Sequence, residues 1–352
     1  MTALADILKA RIARTGPITL ADYMADCLMH PTHGYYATRD PLGAAGDFIT
    51  APEISQMFGE LIGLCLAQSW LDQGSPAPFT LAELGPGRGT LMADILRATR
   101  TVPGFHAAAR VHLVETSAPL RALQAKAVPD AQWHSDVTGL PDAPLFVVAN
   151  EFFDALPIRQ FVRDGDGWRE RMIGLDGDTL TPGLSDPAPL AMLEHRLADT
   201  RDGDLVEICP ALPACVQEIS QRIATRNGAA LFIDYGDWTS LGDTLQALRS
   251  HDRTDPFAAP GAADLTAHVD FAEIARHAAP ARFTKLTTQG VFLERLGITE
   301  RARTLAATLQ GDARAAHITA HRRLTHPDEM GTLFKVLGLY PATAQPLPGL
   351  DP

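Results

Sequence analysis

The sequence predicts an α/β fold built on a mostly parallel sheet. Three observations carry this. Apolar segments of strand length alternate with helical segments between residues 79 and 154. The first of these strands runs directly into a glycine-rich loop that opens a helix, the crossover at which open α/β sheets bind ligands. A further apolar strand, AALFIDYG (229–236), returns after a long interruption.

Size and composition bound the rest. With 352 residues the chain is one large domain with insertions, or two domains. Hydrophobic residues make up 46% and charged residues 20%, so the chain can bury a core and is not disordered. Lys and Arg number 30 against 42 Asp and Glu, a net charge of −12 that argues against nucleic acid as a partner. A protein partner with a basic segment remains compatible with that charge. Cys27, Cys65, Cys209 and Cys215 form no C-x-x-C pair, so neither a zinc site nor a disulfide framework is expected. No apolar run approaches the ~20 residues of a membrane span. The N-terminal stretch has no signal-peptide core and carries Asp6, Asp22 and Asp26, which a mitochondrial presequence would avoid. A cytoplasmic protein with no metal is the expectation.

The elements follow in order. Leu4, Ile7, Leu8 and Ile12 recur at helical spacing over residues 2–14, and Gly16-Pro17 stops that helix. Thr19 or Asp22 could cap the next one, ADYMADCLM. Residues 30–53 are dense in Gly, Pro and aromatics and too long for an idle loop, which predicts a functional segment. Residues 55–73 read as a helix of about five turns. Then come a strand at 79–85, a helix at 90–99, a strand at 111–115, a helix at 117–128, a short strand at 131–136 and an apolar strand ending in NEFFDALP. Residues 160–180 form a hairpin meander with Asp-Gly turns, and 185–204 a loop with a short helix. A helix at 211–226 closes on Asn227-Gly228. After the 229–236 strand, residues 242–271 look like a second polar, Pro/Gly-rich stretch. A helix at 271–279, a strand at 281–289, a helix at 292–309 and a strand at 331–339 complete the pattern, and the tail 342–352 is expected to fray.

The most specific feature is LAELGPGRGTL (81–91). Gly85, Gly87 and Gly89, with Pro86 between the first two, let the backbone turn tightly and a ligand approach without a Cβ in the way. The third glycine comes one position earlier than in the dinucleotide fingerprint, and Thr90 stands in its place. With Glu83 ahead of it, the loop resembles motif I of class I S-adenosyl-L-methionine (SAM) methyltransferases. That resemblance implies a loop beneath the methionine and ribose portions, with Glu83 orienting the methionine end. Carboxylates suit a ligand carrying an ammonium and a sulfonium. Thirty residues after Gly85, Glu115 ends the second strand, where an acid receives ribose hydroxyls. A helix-start acid before Ser117 is the competing role for it. Asp136 follows the third strand, where such enzymes contact the adenine amino group.

Asn150 and Glu151 end the fourth strand, at the place where the transferred methyl belongs. Many amine N-methyltransferases carry N-P-P-Y there. Here Glu and Phe replace the prolines, and a carboxylate suits a cationic acceptor that Glu151 could hold bidentately. Asp154 is either a second acceptor residue or a helix cap.

From about residue 16 to about 340 the chain resembles the MidA-like SAM-dependent methyltransferases, whose mitochondrial members are the complex I assembly factor 7 protein arginine methyltransferases. The resemblance rests on GYYATRDPLGAAGDFITAPEISQMFGELIG (34–63), the glycine loop, HLVETS (112–117), NEFFDALPIRQF (150–161), FIDYG (232–236), residues 242–271 and MGTLFKVLGL (330–339). It implies a Rossmann-like, seven-stranded, mostly parallel sheet formed by 76–154, 228–289 and 329–341. An N-terminal helical cap (1–75) and inserted substrate-recognition segments (155–227 and 290–328) surround it. It further implies SAM as cofactor, S-adenosyl-L-homocysteine as product, and symmetric dimethylation of an arginine on the large hydrophilic NADH-dehydrogenase subunit. The eukaryotic relatives work in the mitochondrial matrix, and a homodimer is compatible with the resemblance. In this reading Gly46, Asp47, Phe48, Thr50, Pro52 and Glu53 cover SAM, Thr266, His268 and Asp270 border the acceptor, and His268 or His251 accepts a proton. Two other functions compete: a small-molecule O- or N-methyltransferase, and a SAM-binding assembly factor without essential catalysis.

Overall fold

The computed structural model describes residues 2–38, 50–249 and 252–352. Its main sheet has seven strands along one path: β1 (Phe79–Leu84), β2 (Ala109–Val114), β3 (Gln132–His134), β4 (Leu145–Asn150), β5 (Gly228–Asp237), β6 (Arg282–Phe283) and β7 (Phe334–Tyr340). Their spatial order is β3-β2-β1-β4-β5-β7-β6. Neighbours from β3 to β5 run parallel, while β7 is antiparallel to both β5 and β6. Every residue of β1 and β4 is buried, because helices cover both faces; a strand with no wet side is largely apolar, and the polar Glu83 and Asn150 lie at the carboxyl ends.

Six helices matter for the site: α1 (Ala3–Thr15), α2 (Leu20–Met29), α3 (Gln56–Asp72), α4 (Thr90–Ala98), α5 (Ala118–Ala127) and α6 (Leu212–Arg226). On one face α3 and α4 bury Phe58, Ile62, Leu66, Leu91 and Ile95 against Leu81, Phe146 and Leu231. On the other, α6 buries Leu212, Val216, Ile219 and Ile223 against Ala82, Val147 and Phe232. A Cβ at Gly63 would lie 2.9 Å from the Ile95 Cα, so glycine is what lets α3 lie directly on α4. Side-chain hydroxyls cap α1 (Thr2), α2 (Thr19), α3 (Ser55) and α5 (Ser117). Thr19, not Asp22, therefore starts α2.

The N-terminal residues before α3 and the 158–208 part of the first insertion pack as one unit, while Phe292, Leu293, Ile298 and Leu324 of the second insertion join the main core. Strand Ile18–Thr19 pairs with Gly167–Asp176 in a second sheet that also holds Arg159–Asp164, Thr179–Leu184 and Leu205–Ile208. A single core joins them, including Leu4, Leu8, Tyr23, Met24, Ile158, Ile173 and Leu265. α3, assigned above to the N-terminal cap, belongs to the main three-layer core instead.

Four other expectations need correction. Residues 242–271 contain an antiparallel sheet of Gln246–Arg249, Asp252–Thr254 and Asp264–Thr266, whose strands are too short to show a period. The strand expected at 281–289 is two separate pairs, Arg282–Phe283 and Thr287–Thr288, both on β7. The helix expected at 292–309 breaks at Gly297 (φ +89°) into Gln289–Arg295 and Ile298–Ala306, and a further helix, Gly311–Thr325, buries only Leu324 and so carries no apolar stripe to read. The tail does not fray: Leu347 and Leu350 are buried, and the Lys285 N–H donates to the Asp351 carbonyl. Among the described residues no helix is long and apolar enough to cross a membrane, and no group of three or more His, Cys, Asp or Glu is placed to hold a metal ion.

Candidate active site

The carboxyl ends of β1, β2 and β4 open into a cavity of about 550 Å³. The glycine loop forms one wall. Gly85, Gly87 and Gly89 take φ of +61°, +53° and +84°, a region in which a side chain is strained. A Cβ on Gly85 would also stand 2.9 Å from Cδ2 of Phe152, which lies in the loop after β4. The Gly89 N–H donates to the Pro86 carbonyl at 2.7 Å, closing the turn, and Gly89 itself caps α4. Gly85, Pro86 and Gly87 face the cavity; Gly89 closes the loop behind them.

Glu83 lies in the cavity wall and is 3% exposed. Its Oε2 has no hydrogen-bond partner among the described residues, and burial pushes the carboxyl from its ordinary 4.5 up to about 8. A buried carboxylate without a donor is costly, so this atom fits a ligand that brings one. Glu115 is already satisfied. Its Oε1 accepts from the Ser117 N–H at 2.7 Å and its Oε2 from Gln124 Nε2 at 3.3 Å, and the same Nε2 donates to the Gly87 carbonyl at 2.8 Å. The helix-start and cavity-wall roles of Glu115 thus coexist in one side chain. Asp136 sits exposed at the rim, held by the Thr138 hydroxyl and N–H, which keep its carboxyl below the ordinary range.

At the other end stand Asn150, Glu151 and Phe152. Glu151 adopts φ +51°, uncommon for a residue with a side chain, while its N–H continues the ladder to the Ile233 carbonyl at 2.9 Å. Its Oε1 accepts from the Ala51 N–H at 3.2 Å and from Asn150 Nδ2 at 3.1 Å. Burial, and then the charge of Asp154, push Glu151 up to about 7. Asn150 is 8% exposed and its Oδ1 lacks a partner among the described residues. Asp154 is buried behind the cavity wall, bonded by the Tyr235 hydroxyl and likewise pushed up to about 7 by burial.

Thr50, Pro52 and Glu53 line the cavity, and the Thr90 hydroxyl donates to Glu53 Oε1 at 2.5 Å. Gly46, Asp47, Phe48 and His251 lie outside the described residues. His268 is not brought to the cavity wall. Its ring stands edge-on to Tyr235 at 5.2 Å, its N–H donates to the Thr244 hydroxyl, and burial lowers its basicity. Thr266 is buried, and Asp270 caps the helix Phe271–Arg276 while accepting from the Ser240 N–H, a structural post. Two residues were missed. Tyr36 lines the cavity, donating its hydroxyl to the Asp264 carboxylate at 3.1 Å, and nothing in its loop sequence marks it. Asp234 accepts three N–H groups of residues 152–154, and the lone acid inside the apolar run FIDYG was the available signal.

A carboxylate with one oxygen left open beside a glycine loop, an acid at the end of the second strand and polar groups at the end of the fourth suit a nucleoside ligand with a cationic tail. The family described as "Putative S-adenosyl-L-methionine-dependent methyltransferase" matches residues 61–289. The chain belongs to this family. Similar relatives are the proteins named "Protein arginine methyltransferase NDUFAF7, mitochondrial". The mouse protein is 38% identical over 95% of this chain and 83% of its own length, and the human protein 37% over 95% and 82%. A solved structure from Burkholderia thailandensis, described as a "likely methyl transferase" bound to S-adenosyl-homocysteine, superposes with a TM-score of 0.82. It is 29% identical, with 99% of this chain and 94% of that one covered. The enzyme is thus a SAM-dependent methyltransferase on the class I fold, with SAM as its cofactor.

Proposed function

We propose that this methyltransferase modifies an ω-nitrogen of an arginine in a protein segment, on the respiratory NADH-dehydrogenase hydrophilic subunit or its equivalent, in the cytoplasm. The observation that carries the reading is Glu151. Its carboxylate stands at the end of β4 with Oε1 pinned from two sides, while Oε2 takes no hydrogen bond among the described residues. A guanidinium offers several N–H donors in a planar fork. One donor suits Oε2 of Glu151, and another the orphaned Oδ1 of Asn150. The names of the relatives support the choice of arginine and of a protein substrate.

When bound, SAM supplies a methyl group activated by a sulfonium. The chain's own residues bind and orient. Glu83 takes the ammonium, Glu115 the ribose hydroxyls and Asp136 the adenine amino group, while Thr50, Pro52 and Glu53 close the cavity above them. Glu151 and Asn150 fix the acceptor nitrogen, and alignment with exclusion of water supplies most of the acceleration. A strong base is not required. His268 stands behind Tyr235, and Glu151, already half-prepared to hold a proton near neutrality, is the nearer receiver.

The test uses labelled SAM on extract from a strain lacking the gene, with mass spectrometry of the hydrophilic subunit. Dimethylarginine that appears only with the enzyme is the expected result. A labelled small metabolite and no labelled protein band would instead indicate the small-molecule function. Glu151→Gln is expected to bind S-adenosyl-homocysteine within a few-fold of wild type while transfer falls roughly a hundredfold or more. Unchanged transfer, or cofactor binding lost together with transfer, would refute the role of Glu151.

A further inference from the structure

The loop after β4 must do two things at once: present Glu151 to the acceptor and pack Phe152 against the donor-side glycine loop. Residues 151–157 lie in neither helix nor strand, so their backbone N–H groups need partners from elsewhere. One side chain supplies three of them. Oδ2 of Asp234 accepts from the N–H groups of Phe152 at 3.2 Å, Phe153 at 3.0 Å and Asp154 at 3.3 Å, and Oδ1 accepts from the Tyr235 N–H at 3.0 Å. Successive N–H groups converging on one oxygen form an anion nest.

We propose that Asp234 is a positioning residue for methyl transfer, fixing residues 151–154 so that Glu151 and the Gly85 turn are held at one working separation. Asp234 projects from β5 near Ile233, whose carbonyl takes the Glu151 N–H at 2.9 Å. Between that ladder bond and the nest, Glu151 is forced into its left-handed backbone (φ +51°) and its side chain is turned to the Ala51 N–H. The next residue, Phe152, meets Gly85 so closely that even a Cβ there would lie 2.9 Å from the ring. Asp154 is anchored on its far side by the Ala267 N–H, which donates to its carbonyl at 3.0 Å. Asp234 is 1% exposed, so water does not share this duty. An apolar strand that needed only to pack would gain by a hydrophobic residue here; an acid is retained because it holds four N–H groups.

The inference rests on the reading of Glu151 as the acceptor-side residue, and the test separates the two. Asp234→Asn keeps the volume but leaves one acceptor oxygen for two sets of N–H groups, with an amide NH₂ facing the others. Folding is checked by circular dichroism and melting, and the cofactor site by S-adenosyl-homocysteine calorimetry, since Glu83 and Glu115 do not touch Asp234. The expected result is cofactor affinity within a few-fold of wild type, deuterium exchange accelerated over 150–156, and kcat/KM for the acceptor lowered roughly a hundredfold. A folded variant with faster loop exchange but unchanged kcat/KM would overturn the proposal, because a merely structural post predicts that pattern. Should the variant fail to fold, the wild type decides: amides 152–154 must exchange as slowly as strand amides, and free exchange there overturns the nest. If instead Asp234→Asn behaves as expected while Glu151→Gln is fully active, the reading of Glu151 fails and the positioning role of Asp234 stands.

Discussion

Glu83→Gln should make the protein more stable and a worse binder of its cofactor. In the folded chain the Glu83 carboxyl is pushed from 4.5 to about 8 by burial, with the Met92 N–H alone pulling it back. Below pH ~4.5 the group is protonated both folded and unfolded, so it adds no pH dependence. Between about 4.5 and about 8 the unfolded chain has released the proton while the folded chain keeps it. Folding takes up a proton in that window, and stability falls as pH rises through it. Above pH ~8 the whole cost is present, on the order of 2–5 kcal/mol at the usual conversion. Glutamine removes it while filling the same space. Melts from pH 5 to 9 should therefore show a wild-type curve that declines with pH and a variant curve that declines less, with a gain of roughly 3–7 °C at alkaline pH. Calorimetry should show S-adenosyl-homocysteine bound roughly ten- to a hundredfold more weakly, the loss of one charge-assisted hydrogen bond. A variant no more stable than wild type at pH 8, or one binding equally well, would refute the claim that Oε2 of Glu83 is kept open for the ligand.

Two further outcomes follow from the packing. Gly85→Ala should lose roughly 1–3 kcal/mol by denaturant titration and weaken cofactor binding, because the backbone is left-handed and the ring of Phe152 must move. Gly165→Ala, at φ +58° with no atom within 4 Å, is the control: a similar backbone cost with binding unchanged. Deleting residues 342–352 should cost roughly 3–6 kcal/mol, since it exposes the sites of Leu347 and Leu350 and frees Lys285 N–H and Arg295 from Asp351. An unchanged denaturation midpoint would show the tail to be dispensable.

The central sheet was legible in the sequence because parallel strands are apolar on both faces and their connecting helices carry a clear start. β1, β2, β4 and β5, with Ser117 capping α5 and Asn227 ending α6, stand where the pattern puts them. What was not legible is pairing over distance. Nothing local in Ile18–Thr19 says that it pairs with Ile173 and Met172, and strands of three residues such as Asp264–Thr266 are shorter than any readable period. The site shows the same division. Glu83, Glu115 and Asn150 could be located because each lies at or just beyond the carboxyl end of a readable strand. His268 could not be, because its neighbours in sequence border the cavity's support and not the cavity itself. Asp234 was visible only as an anomaly, an acid within a strand that is otherwise buried and apolar.

The acids at the two ends of the cavity work by different means, and the difference bears on the acceptor. Glu115 is bonded by Ser117 and Gln124 before any ligand arrives, so it can accept hydroxyls with little rearrangement. Glu83 and Glu151 are left incomplete, and both are pushed up by burial, so both gain most from a charged partner. For Glu83 the partner we propose is the ammonium of the cofactor. For Glu151, with Asp154 behind it, a neutral hydroxyl would leave two buried carboxyls near their protonated form. A primary amine would be held there as ammonium, which has no lone pair to give. A guanidinium stays charged at every working pH, spreads its charge over three nitrogens and donates along two edges, so it satisfies the carboxylate through one nitrogen while presenting another to the methyl. The same crowding that makes the apo site costly is therefore what favours arginine over the other nucleophiles a protein segment could offer.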